Sequence, residues 1–233
     1  MYRYIHLTET DSTNTYLKNL AASEAVCVIA DRQTGGRGRM GRTFESPAGG
    51  LYMSFTCNPA SVDHLTAKAA VCTARAIEKL TGLTLRIKWV NDLMADGKKL
   101  CGILAEGVWT DGELRSAIIG IGVNLYGELP EYLADIATTV ESAGGRVPDR
   151  DELARAITRE FESCTDFYEE YKSRQSLLGC AVTVHRGDDS FDAVAEDIAD
   201  NFGMILRLPD GSRMTLSSGE VSLRRRNDEE QPT

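Results

Sequence analysis

The sequence predicts an α+β fold, a two-layer α/β arrangement of a mixed sheet with flanking helices, followed by a small β-barrel. Three observations predict it. Apolar strand runs such as Ala25 to Ala30 are interleaved with helical spacing, as in Leu65, Ala69, Cys72, Ala76, Ile77 and Leu80. Asp96-Gly97 and Asp111-Gly112, each between apolar runs, signal mid-chain hairpins, and such a meander excludes a purely parallel doubly wound sheet. Beyond Gly179, five short strand patterns with turn residues between them mark a compact barrel module.

Arg3 to Leu7 reads as the first strand, and Ser12-Thr13-Asn14 are N-cap residue types before a helix carrying Tyr16, Leu17 and Leu20. Ala25 to Ala30 fits a strand buried on both faces, and Leu51 to Cys57 is another strand. Ser61 to His64 opens a helix through about Leu80, and Leu83 to Trp89 alternates as a strand. The hairpins then join Leu93-Met94 to Lys99-Leu100-Cys101, and Ile103 to Trp109 to Leu114 to Val123. Asp149 or Asp151 caps one long helix whose stripe runs Leu153, Ile157, Phe161, Cys164, Phe167 or Tyr168, and Tyr171. The five barrel strands are Val182 to Val184, Phe191 to Ala195, Met204 to Leu208, Met214 to Leu216 and Val221 to Leu223. A larger domain over 1–176, a barrel over 177–226 and a disordered polar tail over 227–233 are expected.

Composition removes several function classes. The 233 residues carry 35 acidic and 26 basic side chains, net charge -9, which disfavours a general nucleic-acid binder. No apolar run approaches the ~20 residues of a membrane span, and strand-like pattern from the first residues is not a signal peptide. Six singly scattered cysteines fit a reduced, cytoplasmic setting, and three histidines share no metal-ligand spacing.

Against that acidity, Gly35-Gly36-Arg37-Gly38-Arg39-Met40-Gly41-Arg42 places four glycines and three arginines in eight residues. Arginine forks match carboxylate and phosphate oxygens in pairs, and glycine lets backbone N–H groups approach a ligand. Gly36-x-Gly38-x-x-Gly41 fits the dinucleotide fingerprint, and Gly36 to Thr43 fits a phosphate-binding loop with Arg in place of Lys. Both require a helix opening at the last glycine. Thr43-Phe44-Glu45-Ser46-Pro47 cannot start a long one, so both are excluded on context.

Four polar clusters fall at strand ends or in loops: Ser12-Thr13-Asn14, Gln33 with the glycine-arginine loop, Lys88 to Asp92, and Gly120 to Asn124. Singly they read as a helix start, a basic loop, an edge charge with a turn, and a bulged strand. In order, and with Ser46-Pro47-Ala48-Gly49-Gly50-Leu51-Tyr52, Lys99 to Leu104 and Gly219 to Arg224, they resemble the biotin protein ligases. That family reads Ser-Thr-Asn, Gln-Thr-x-Gly-Arg-Gly-Arg-x-Gly-Arg, Lys-Trp-Pro-Asn-Asp, Lys-x-x-Gly-Ile-Leu and Gly-x-Gly-x-Asn. The resemblance covers about residues 5 to 224, with Val90 where the family has Pro.

The resemblance implies a class II aminoacyl-tRNA-synthetase-like catalytic domain and an SH3-like barrel. It implies ATP-dependent formation of biotinyl-5'-AMP, with Mg²⁺ on the polyphosphate near Asn91 and no protein-only metal site, then transfer to a lysine of a biotin carboxyl carrier domain. Lys88, Arg39 and Asp92 would be catalytic, Lys88 bridging the biotin carboxylate and α-phosphate. Biotin would be bound by Ser12, Thr13, Asn14, Gln33, Arg37, Gly38, Arg39, Lys88, Gly102 and Gly122. ATP would be bound by Arg37, Arg39, Arg42, Trp89, Asn91, Lys99 and Asn124. The chain starts at the first catalytic strand, so no DNA-binding function is expected, nor a membrane partner; a strand edge is open to homodimer pairing. Residues 36 to 42 would be mobile without ligand and order over the adenylate. The competing readings are a lipoate–protein ligase with the same chemistry and a nucleic-acid-binding module.

Overall fold

A computed structural model of the chain describes residues 1–20, 24–59, 62–187, 189–217 and 221–225. Ser61, Asp188, Gly219, Glu220, Arg226 and the expected tail at 227–233 lie outside the described residues. The main unit contains β1 (Arg3–Thr10), α1 (Thr13–Leu20), β2 (Val26–Gln33), β3 (Gly50–Cys57), α2 (Leu65–Thr81) and β4 (Arg86–Lys88). It continues with β5 (Asp92–Ala95), β6 (Lys98–Thr110), β7 (Glu113–Asn124), α3 (Arg150–Ser163) and α4 (Tyr168–Ser173). Its seven strands run in the order β1-β2-β3-β7-β6-β5-β4. The β1–β2 pair is parallel and every other pair antiparallel, so the sheet is mixed as predicted.

Alternation decides which face can hold a site. Leu51, Met53 and Phe55 of β3, and Ala117, Ile119, Ile121 and Val123 of β7, enter the large core with α2 and α3. On the opposite face Val26, Val28 and Ile118 pack against Leu17 of α1. Beyond Ile118 the next β7 positions on that face are Gly120 and Gly122, which leave a hollow where side chains would stand. Slipping β7 by one residue would forfeit ~1.5–3 kcal/mol for each large aliphatic side chain exposed. The core therefore fixes where the glycines lie.

Both hairpins form where expected. Asp96 and Gly97 (φ 47° and 80°) and Asp111 and Gly112 (φ 52° and 77°) are all left-handed, as a type I′ turn requires. Gly120 and Gly122 are not at a bulge; their pairing with β3 and β6 is regular, and the irregularity of the β6–β7 pair falls at Val108/Trp109.

Other boundaries differ from the sequence reading. The fourth strand is Arg86–Lys88 rather than Leu83 to Trp89. Its predicted start is instead tied to α2, since the Leu83 and Leu85 amides donate to Thr81 Oγ1 and Glu78 Oε1. α2 starts at Leu65, after a left-handed His64. The predicted long helix is two, α3 and α4, broken at Cys164, whose backbone is extended. Thr165 and Asp166, weak helix formers, follow that break. Asp149 is the cap, accepting from the Glu152 amide at 2.9 Å.

β8 (Ala181–Arg186), β9 (Asp189–Ile198), β10 (Met204–Arg207), β11 (Arg213–Leu216) and β12 (Val221–Arg225) form a separate antiparallel sheet. Its order is β11-β10-β9-β8-β12, and no pairing among the described residues joins β11 to β12. The predicted five strands are present, but as an antiparallel sheet rather than a closed barrel. Phe202, in the turn before β10, packs among His64, Phe167, Tyr168 and Tyr171. Its carbonyl accepts the Trp89 indole N–H at 3.0 Å, tying the small sheet to the end of β4. All six cysteines are free thiols. Among the described residues no helix is long and apolar enough to cross a membrane.

Candidate active site

β2 ends at Gln33 and delivers the glycine-arginine loop, which makes a 3-10 turn at Arg39–Gly41 instead of opening an α-helix. An isolated bridge pairs Arg37 with Thr43, and the Phe44 amide returns to the Gly36 carbonyl at 2.9 Å. The loop is thus a flap folded back beside the glycine-bearing sheet face. The cavity's floor includes Gly102, Gly120 and Gly122, with Phe44 against it. A Cβ at Gly122 would lie 2.4 Å from the Phe44 ring, and one at Gly120 2.2 Å from Asn14 Oδ1. Only glycine admits both neighbours.

One wall is a chain of hydrogen bonds. The Gln33 Oε1 accepts from the Thr13 amide (2.9 Å) and hydroxyl (3.1 Å), while Gln33 Nε2 donates to Ser46 Oγ (2.9 Å). The Ser54 hydroxyl lies 2.6 Å from Thr13 Oγ1 and 2.5 Å from Asn14 Oδ1. Asn14 Nδ2 donates to Glu106 Oε2 at 2.6 Å. Ser12, Thr13, Asn14, Ser46 and Ser54 are buried; the two Ser54 bonds are fully shielded from water and those to Gln33 and Glu106 partly so. Thr13 and Asn14 lie in the first turn of α1, which sets them against β3 and β7.

The remaining walls are cationic. Arg37, Arg39 and Arg42 line the cavity from the flap, and Lys88 and Lys99 from β4 and β6. Burial pulls the Arg39 guanidinium below its ordinary pKa, an effect opposed by Asp92 and Tyr171. Arginine nevertheless stays ionised, so a bound anion there would compensate a poorly solvated charge. Lys99 Nζ stands 2.7 Å from Asp92 Oδ1, pairing the charges without hydrogen-bond alignment, and 5.5 Å from the Phe44 ring centre. Asn91 Nδ2 is committed to the Ile103 carbonyl at 2.9 Å. Burial opposes ionisation of Glu106, but bonds from Lys18 and Asn14, with the charges of Lys18 and Arg37, hold its carboxyl below the usual range.

The cavity brings together every predicted site residue except one. Ser12, Thr13, Asn14, Gln33, Arg37, Gly38, Arg39, Arg42, Lys88, Trp89, Asn91, Asp92, Lys99, Gly102 and Gly122 all line it. Asn124 does not: its amide donates to the Thr138 carbonyl at 3.1 Å, and its own carbonyl accepts from Val140. It stands at the end of β7, where it holds the 138–140 segment rather than facing the cavity. Sequence reasoning missed Phe44, Ser54 and Glu106. Ser54 carried a signal, as the one hydroxyl between apolar Met53 and Phe55. Phe44 carried one only by its place beside the flap.

Fold and cavity define a class first: a mixed-sheet protein whose cavity sets a polar, hydrogen-bonded wall against a cationic flap, an arrangement suited to a small anion. The chain belongs to the biotin/lipoate A/B protein ligase family, whose profile matches residues 7–124; that of the biotin protein ligase C terminal domain matches 177–224. The bifunctional ligase/repressor BirA of Bacillus subtilis is 40% identical over 164 residues, 67% of this chain and 50% of that protein. The chain therefore spans about half the length of the Bacillus relatives it matches. The biotin--[acetyl-CoA-carboxylase] ligase of Paracoccus denitrificans is 30% identical over 92% of this chain and 98% of its own. The structure of a biotin protein ligase from Aquifex aeolicus in complex with biotin and ATP superposes with a TM-score of 0.81. It is 32% identical, covering 96% of this chain and 99% of that one.

Proposed function

We propose that this protein is an ATP-dependent biotin–protein ligase. The carrying observation is the cavity itself, where Arg37, Arg39, Arg42, Lys88 and Lys99 converge beside the buried polar wall of Ser12, Thr13, Asn14 and Gln33. The wall matches an uncharged ureido ring that both donates and accepts; the cations match a carboxylate and a triphosphate. A biotin carboxylate oxygen attacks the α-phosphorus, pyrophosphate leaves, and biotinyl-5'-AMP forms. The amine of a carrier-domain lysine then attacks the acyl carbon, AMP departs, and the amine loses a proton. The acceptor is a biotin carboxyl carrier domain, such as that of acetyl-CoA carboxylase.

Two anions must meet in the first step, and Lys88 bridges them while Arg39 neutralises the flap side. Arg37 and Gly38 complete the biotin side with Gly102 and Gly122; Arg42, Trp89, Asn91 and Lys99 serve the nucleotide. Asn124 acts for the nucleotide indirectly, by holding the segment at Thr138. Asp92, already beside Lys99, positions the incoming lysine. Among the described residues no cluster of three His, Cys, Asp or Glu side chains could hold a metal. Asn91 and Asp92 offer hard oxygen donors that fit Mg²⁺ arriving on the polyphosphate, where it would neutralise phosphate charge. The flap orders over the adenylate and excludes water from the mixed anhydride. The C-terminal module of residues 177–226, whose described strands form an open sheet, corresponds to the SH3-like unit of this family beside a catalytic domain of 1–176, a division supported by the separate profile match at 177–224.

Pyrophosphate–ATP exchange driven by biotin against lipoate tests the activity. Lipoate has no ureido group, so it leaves the buried wall unpaired. A preference for biotin of roughly 1,000-fold or more is expected, as for sites built to hydrogen-bond a group the analogue lacks. Equal exchange with the two acids would overturn the assignment. Within the same reading, Gly120→Ala drives a methyl into Asn14, which cannot withdraw without breaking its bonds to Glu106 and Ser54. A loss of about 2–3 kcal/mol in biotin binding, roughly 30- to 150-fold in Kd, is expected by calorimetry.

A further inference from the structure

Behind the wall stands a carboxylate that no motif includes. Glu106 of β6 lies on the same sheet face as Gly102, and its side chain is 22% exposed. It does not line the cavity, yet two residues that do, Asn14 and Arg37, converge on it. Asn14 Nδ2 donates to Oε2 at 2.6 Å, Lys18 Nζ to Oε1 at 2.7 Å, and Arg37 Nη2 lies 3.7 Å from Oε2. Arg37 also donates to Thr15 Oγ1 at 3.1 Å, so α1 and Glu106 together hold the root of the flap.

We infer that Glu106 is a positioning residue for the biotin subsite: it fixes which end of the Asn14 amide serves the wall, and it anchors the flap through Arg37. Naming the ligand biotin rests on the ligase reading; the positioning itself does not.

Hydrogen counting carries the inference. An ionised carboxylate only accepts, so Asn14 must turn its NH₂ toward Glu106. Its Oδ1 then cannot donate, so the Ser54 hydroxyl hydrogen must point at it, as the 2.5 Å contact requires. Having given its hydrogen, Ser54 can only accept from Thr13. The Thr13 hydroxyl is thereby restricted to donating, either to Ser54 or to Gln33 Oε1, which already accepts the Thr13 amide. Beyond Thr13 the polarity is fixed by backbone groups instead: the Thr13 amide holds Gln33 Oε1, so Nε2 donates to Ser46, which donates to the Phe44 carbonyl at 2.9 Å. One acceptor-only group at the far end thus sets the polarity of the wall through Asn14 and Ser54 as far as the Thr13 hydroxyl. Asn14 is 4% exposed, so a mispaired amide there is poorly compensated by solvent. Were Glu106 only a surface partner of Lys18, none of these choices would depend on it.

Glu106→Gln offers Asn14 either a donor or an acceptor and removes the charge facing Arg37. In the full chain, the biotin KM for exchange is expected to rise about 10- to 30-fold, the scale of one mispaired buried amide. The ATP KM should stay within about two-fold, as expected when binding of one substrate alone is lost. Trypsin cleavage after Arg37 in ligand-free protein should accelerate. Asn14→Asp sets two carboxylates against each other and should weaken biotin further. Adding Glu106→Gln restores a donor facing an acceptor and should recover about ten-fold or more of that loss, a non-additivity diagnostic of direct contact. Additive losses in the double variant overturn the inference, as does a Glu106→Gln protein matching the unaltered one in biotin KM and in cleavage. Absence of biotin-driven exchange in the unaltered protein would instead overturn the ligase reading. The trypsin comparison would still decide the role of Glu106.

Discussion

A Lys88→Met protein is expected to form adenylate roughly 100- to 1,000-fold more slowly than the unaltered chain, the scale of losing one oriented charge at a reacting centre. Two unit negative charges 4 Å apart repel by about 4 kcal/mol at an effective dielectric near 20. A biotin carboxylate and an α-phosphate must come closer than that. A cation between them converts the repulsion into two attractions, and these strengthen as the oxygen–phosphorus bond forms. Methionine nearly preserves the volume of lysine, so the cavity should keep its shape, and biotin, losing one partner of its carboxylate, should weaken by roughly ten-fold, less than the rate falls. Lys88→Arg, which keeps the charge but spreads it over a fork, should recover part of the rate. Single-turnover release of pyrophosphate measures this directly. A normal rate in Lys88→Met, with the loss appearing in Lys99→Met, would transfer the bridging role to Lys99, which lines the same cavity.

How Lys88 reaches the site shows what was legible in the sequence. The β2 strand and the β5–β6 and β6–β7 hairpins rest on patterns that need no partner to be read, an apolar run and two Asp-Gly turns whose φ angles only a few residue types accept; the placing of β3 between β2 and β7 does not. The glycines at 102, 120 and 122 were visible as letters, and their order among the polar clusters was specific. Their purpose was hidden, because a glycine in a strand looks the same whether it makes room for a bulge or for Phe44 and Asn14. Glu106 was hidden for a related reason. It is one acidic residue among 35, and only the pairing of β6 with β7 and the packing of α1 bring it to Asn14. Asn124 stands apart from the cavity: the Gly-x-Gly-x-Asn pattern places it beside the floor, but at the end of β7 its amide donates to the Thr138 carbonyl. The break between α3 and α4 was invisible because both helices bury the same stripe, with Phe161, Cys164 and Tyr171 all in one core.

Removal of Arg174 should have the largest effect on stability. β4 is a three-residue edge strand, paired with β5 on one side. On its other side, the Ile87 amide donates to the Arg174 carbonyl at 2.8 Å and the Ser176 amide donates to the Ile87 carbonyl at 2.9 Å. Arg174, with 17% of its side chain exposed, grips Glu78 of α2 through two nitrogens (2.7 and 2.8 Å) and Glu170 of α4 through Nε at 2.8 Å. Arg75 closes the cluster on Glu170. Arg174→Ala leaves Glu78 facing Glu170 with one arginine fewer, in a setting only partly open to water. Breaking a fully buried pair costs about 3–5 kcal/mol; partial exposure here reduces that to roughly 2–4 kcal/mol. For a chain of this length the melting temperature should fall by about 5–15 °C. Arg174→Lys, lacking the two-pronged grip, should recover only part of it. The pH dependence has a definite sign. Burial opposes ionisation of Glu170, yet Arg75 and Arg174 outweigh it and hold its carboxyl below the ordinary range. Its contribution is therefore complete above the unfolded carboxylate pKa of about 4.3 and is lost as pH falls through the lower folded value. In Arg174→Ala that folded value moves back up, so the deficit relative to the unaltered protein should be constant near neutrality and shrink below about pH 4.3. Melting curves from pH 7 to pH 3.5 measure both the size and the slope. Because the same residues hold β4, exchange activity should fall with stability even at temperatures where the variant is fully folded. A variant that melts normally, or that loses stability equally at every pH, would show that the cluster does not carry this charge-dependent load.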